Sequence, residues 1–154
     1  MKLVSKTGEQ IVFQLTETED VFLRLALSAF PVGGEGWPRG TATPAAPPDP
    51  GLLSSALDEL RREQTTRVQD FLDRQPQAPD GSPGRLLRVG LDEVDWLLQV
   101  LNEVRVGSWY ALGCPDEVEE EKARNSSESV SHLIRYDFSG WMQAVLLAAL
   151  EQPS

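Results

Sequence analysis

Few residues in this sequence have the types and spacing that chemistry requires. His132 is the only histidine and Cys114 the only cysteine among 154 residues. A Ser-His or Cys-His arrangement needs its nucleophile beside an oriented imidazole. Ser131 adjoins His132, but neighbours on a helix point about 100° apart and do not pair. Cys114 sits at the expected end of a helix and is followed by Asp116, Glu117, Glu119, Glu120 and Glu121. Those surroundings oppose a nucleophilic thiolate. No catalytic residue is expected.

Metal and phosphate chemistry fare no better. There is no histidine pair, no second cysteine and no Asp-x-Asp-x-Asp-Gly loop, so neither a metal nor another cofactor is expected. The acidic stretch DEVEEEK at 116–122 reads as a solvated helix start, favoured by the positive end of the helix dipole. The glycines of PVGGEGWPRG lack the Lys-Ser/Thr and the following helix of a phosphate loop.

The segment WLLQVLNEVRVGSWYALG, residues 96–113, is more informative. Asn102, Arg105 and Trp109 are spaced three and four apart and share one flank of a helix. Polar groups in so apolar a helix must find hydrogen bonds if buried. One expectation is that Arg105 is at least half buried and binds backbone carbonyls or a carboxylate such as Asp137, fixing how helices cross. The functional alternative is a small pocket for an acidic group, formed by Asn102, Arg105, Trp109 and Tyr136. Gly107 in the same helix suggests close approach of the Gly140-Trp141 region.

The elements that must hold these residues are mostly helical. Apolar periodicity predicts helices over about 16–30, 50–74, 91–113 and 136–151. The first opens with a capping-box pattern at Thr16 and Glu19 and stops at Pro31. The β-rich stretches QIVFQL (10–15) and RLLRV (85–89) each lead into a helix, and pairing them gives a two-stranded ribbon. The expected fold is therefore mainly α: a four-helix single domain over residues 1–154. Nine of eleven prolines fall in two windows, 31–50 and 76–84. The first reads as a mobile Pro/Gly-rich insert and the second as a shorter loop of the same kind.

Composition narrows the class. Twenty-four acidic against fourteen basic residues give a net charge of −10, which repels nucleic-acid backbones and anionic membranes at long range. The amino-terminal stretch lacks a signal-peptide core, and one thiol suits a reducing compartment, so a cytoplasmic location is expected.

Three stretches carry a resemblance to a known family. They are LTETEDVFLRLAL, the middle helix with Trp96, Leu97, Leu101, Asn102, Glu103 and Arg105, and a last helix running from Tyr136-Asp137 through Trp141 and Gln143. The chain resembles the bacterial domain-of-unknown-function family two thousand and seventeen over most of 10–30 and 85–151, departing from it in the Pro/Gly insert. The resemblance carries over no activity or catalytic residues. It implies a link to protein turnover, since such proteins tend to be encoded near the adaptor of the Clp protease.

The functional expectation is a non-catalytic interaction or adaptor protein with an unknown protein partner, acting through an apolar helix face or Trp37 and open to forming a homodimer. Neither nucleic acid nor membrane is an expected partner. The alternative is a small-ligand binder or unusual enzyme at Asn102, Arg105, Trp109 and Tyr136.

Overall fold

The strand of greatest apolar density organises the molecule. In the computed structural model, which describes residues 1–32 and 50–154, β2 (Gln10–Leu15) lies at the centre of an antiparallel sheet ordered β1-β2-β3. β3 (Arg85–Gly90) pairs with it in the register Ile11↔Val89, Phe13↔Leu87 and Leu15↔Arg85. Alternate side chains of a strand share a face, so this register puts Ile11, Phe13, Leu87 and Val89 together in the core. The 10–15/85–89 ribbon is thus present, but it is two-thirds of a sheet. The third strand, β1 (Lys2–Lys6), was not expected. Its register shifts between Leu3 and Ser5, and Val4 is exposed, so the period-two signal of a half-buried strand is interrupted.

The helical expectation of four becomes five among the described residues. α1 (Glu17–Leu27) starts where the capping box placed it, with the Thr16 hydroxyl accepting from the Glu19 N–H, but ends before Pro31. α2 (Pro50–Asp73) and α3 (Val94–Ala111) fall close to their expected spans. The acidic stretch is a helix of its own, α4 (Glu117–Arg124), capped by Asp116 accepting from the Glu119 N–H. α5 (Val130–Glu151) begins six residues before the expected 136, where Leu133 in its first turn is buried and Val130 is exposed.

α3 and α5 make the most extensive helix contact, and α1 packs mainly on α5. Leu23 and Leu27 from α1, Leu97, Leu101 and Val104 from α3, and Met142 and Leu146 from α5 are at most 1% exposed. α2 joins this core only at its C-terminal end, through Val68, Phe71 and Leu72.

The 76–84 segment is more than a loop. It contains a 3-10 turn at Pro79–Gly81, buries Ala78, and returns to the sheet through the Ala78 N–H donating to the Gly84 carbonyl. Gly84 is required there. Its φ of 98° is left-handed, and a Cβ would lie 2.1 Å from the Leu15 carbonyl oxygen. Of the 31–50 insert, residues 33–49 lie outside the described residues, and Trp37 with them. No helix among the described residues is long and apolar enough to cross a membrane.

Candidate functional site

The residues singled out on α3 form two small groups. The Arg105 Nη2 donates to the Asn102 side-chain oxygen at 3.1 Å, one helical turn away. Its Nε is buried without a partner. The expected carboxylate partner, Asp137, is engaged elsewhere: Arg124 of α4 donates to it at 2.9 Å and to Glu120 at 2.6 Å. Those two hydrogen bonds push the Arg124 guanidinium above its already high ordinary value. α4 therefore competes for the group that the sequence suggested for Arg105. Trp109 and Tyr136 do meet, with ring centroids 4.9 Å apart and planes tilted by 31°.

His132 is half-buried near the start of α5, and Cys114 is exposed with a left-handed φ of 51° directly after Gly113 at 81°. Together these two residues terminate α3. Among the described residues no group of His, Cys, Asp and Glu is placed to hold a metal ion.

Two concave features lie along α2. A groove of about 730 Å³ between α2 and the start of α3 is walled by Arg62, Arg67, Arg74, Phe71, Glu93 and Trp96, among others. The Arg67 guanidinium sits 4.4 Å from the centre of the Trp96 ring, and Phe71 meets the same ring edge-on at 5.5 Å. An arginine of α2 thus stacks on a tryptophan of α3. Arg74 pairs with Glu93, which also accepts from the Gly90 N–H at 3.0 Å. Burial opposes ionisation of Glu93, yet those two hydrogen bonds and the charges of Arg74 and Arg67 hold its carboxyl below 4.5.

A second groove, of about 460 Å³, continues the first past Arg67 and Trp96 to Leu60, Phe30, Val100 and Glu103. Burial pushes the Glu103 carboxyl above its ordinary value, against a hydrogen bond from the Val32 N–H. One Glu103 oxygen, Oε2, is buried without a partner.

The sequence contained one signal for these grooves. Leu53, Leu57, Leu60, Gln64, Arg67 and Phe71 recur at alternating spacings of four and three, the seam of a helix that packs along its length.

A third groove, of about 490 Å³, lies between α1 and α5 and is lined by Thr18, Phe22, Ile134, Phe138 and Trp141 with Thr16, Glu19 and Asp137.

The sequence model described as Domain of unknown function (DUF2017) matches residues 43–150. The chain belongs to this family. The DUF2017 match takes in α2, β3, α3, α4 and nearly all of α5, and with them most of both α2 grooves. It begins inside the Pro/Gly insert and leaves LTETEDVFLRLAL outside. No curated protein and no solved structure matches the chain.

Proposed function

We propose that this DUF2017 protein acts by binding another protein through α2 and the grooves beside it, without catalysing a reaction. The observation that carries the reading is the surface of α2's first three turns. Leu52, Leu53, Leu57 and Leu60 are 70%, 46%, 45% and 48% exposed, on a helix that reaches the core only at its far end. Helices gain most of their stability from packing an apolar face, and this one leaves half of that face open. The occupant that fits is an amphipathic helix of a different protein, laid along α2. Its flanks should carry both signs of charge, to meet Glu59, Glu63 and Asp70 as well as Arg62 and Arg67. The family resemblance makes a component of Clp-type protein turnover the first partner to examine.

The test is a comparison of wild-type protein with the Leu53→Ser/Leu57→Ser double variant, whose substituted side chains are exposed. A protein captured by the wild type is purified, and its affinity for both forms is measured by calorimetry. Loss of at least about tenfold in affinity supports the reading. Equal binding by both forms removes α2 as the contact surface.

A second reading, a small-ligand site or unusual enzyme at Asn102, Arg105, Trp109 and Tyr136, is favoured by the unpartnered Arg105 Nε. An acidic ligand supplies the missing acceptor. A thermal-shift screen of small carboxylates and phosphates, repeated on Arg105→Lys, separates it from the first reading.

A further inference from the structure

Glu103 is a half-buried carboxylate with no cation beside it among the described residues. It lines the groove of about 460 Å³ that continues the α2 seam. The Val32 N–H satisfies one of its oxygens, and the other, Oε2, is closed off from water with no donor. A carboxylate in that state is costly until a charged donor meets it. Glu63, on the α2 wall of the same groove, also has no ion pair among the described residues. The cation that borders the groove, Arg67, is stacked on the Trp96 ring instead.

We propose, building on the binding of a helix along α2, that the bound helix inserts a lysine side chain into this groove. Its methylene stem lies against Phe30, Leu60 and Val100, and its ammonium meets Glu103 and Glu63. Position supports the insertion. Leu60 belongs both to the exposed row of Leu53, Leu57 and Leu60 and to the groove wall, so a helix seated on that row has its next turn over the groove.

Charge selects a cation, since the lining contains two unpaired carboxylates against one engaged guanidinium. The acceptors select lysine over arginine. With one Glu103 oxygen held by Val32, a guanidinium fork finds no matching pair of oxygens there, whereas an ammonium acts as a point charge. Its long, flexible stem carries the charge to an oxygen that bulk water does not reach.

Nuclear magnetic resonance titration of the full chain tests the site, with N-acetyl-lysine N-methylamide as the probe. The norleucine and arginine analogues serve as controls. The lysine probe is expected to shift the Val32 amide and the Trp96 indole N–H saturably, and both analogues to bind at least about tenfold more weakly. Glu103→Gln should weaken the lysine probe by at least about tenfold with the rest of the spectrum unchanged, whereas Glu128→Gln, exposed elsewhere, should not. The Leu53→Ser/Leu57→Ser variant should bind the lysine probe as the wild type does, so loss of the α2 partner and loss of this anchor are read separately. Absence of a saturable shift overturns the proposal. So does a norleucine or arginine analogue that binds as well as lysine, or a lysine probe indifferent to Glu103→Gln.

Discussion

Gly140 of α5 lies directly against the aliphatic stem of Arg105 on α3: a Cβ built at Gly140 comes 3.4 Å from the Arg105 Cδ. The contact fixes how the two longest-packed helices cross, and it gives Arg105 a role that needs no carboxylate. Glycine inside a helix costs about 1 kcal/mol relative to alanine, and the space here admits a methyl group and little more. Gly140→Ala is expected to raise the melting temperature slightly, by the equivalent of about 0.5–1 kcal/mol. Gly140→Leu should lower it by about 1–3 kcal/mol by displacing the arginine. Arg105→Ala should cost only about 1 kcal/mol, mostly lost stem packing, because it has no ionic partner among the described residues and its Asn102 bond is local. Differential scanning calorimetry of the three variants checks the order.

α2 is held to the sheet by one buried amide. Gln75, 5% exposed, donates to the Phe71 carbonyl at 2.7 Å and accepts from the Arg88 N–H at 2.7 Å. Gln75→Ala leaves a buried backbone donor and acceptor unpaired and is expected to cost about 2 kcal/mol. Amide exchange should then accelerate in α2 more than in α3. Uniform acceleration across both helices would show that α2 does not open separately.

Gly84→Ala is expected to be among the most damaging single substitutions, at about 2–4 kcal/mol, since it combines a left-handed φ with a clash against backbone that cannot rotate away. Chemical denaturation measures it. Gly113→Ala, also left-handed but with open space at its Cβ, should cost less.

Glu93 and Glu103 should impose opposite pH dependences. Glu93 has a depressed native pKa, so its contribution is present above 4.5 and is lost as pH falls through the native value. Glu103 has a raised one, so its contribution is complete below 4.5 and is lost as pH rises through the native value. Glu93→Gln is therefore expected to lower stability at neutral pH, by about 1 kcal/mol, and to have little effect in strong acid. Glu103→Gln should remove the decline above 4.5. Urea titrations at several pH values read both.

The sequence was most informative where burial is periodic. The two strands of the ribbon, the Thr16 cap and the spans of α2 and α3 follow from apolar spacing and local hydrogen bonding, which neighbouring residues determine. It was least informative where tertiary partners decide. β1 survives as an edge strand because β2 offers hydrogen bonds, although its own alternation is broken at a bulge. Asn102, Arg105 and Trp109 share one flank of α3, yet Arg124, at the far end of the helix that the acidic stretch begins, takes Asp137. Arg67 and Trp96 are 29 positions apart, and no local rule pairs them. Nor does any local rule pair Gln75 with Arg88.

A helix fastened at one end is a lever. The 24 residues of α2 extend about 36 Å, with the fulcrum at Val68, Phe71 and the Gln75 amide. A rotation of about 10° at that fulcrum sweeps the Pro50 end through about 6 Å while moving Phe71 by a fraction of that. Both grooves share α2 as one wall, so the swing changes the shape of both. A load applied at Leu53 is thereby transmitted, with mechanical advantage, to the Arg67–Trp96 stack.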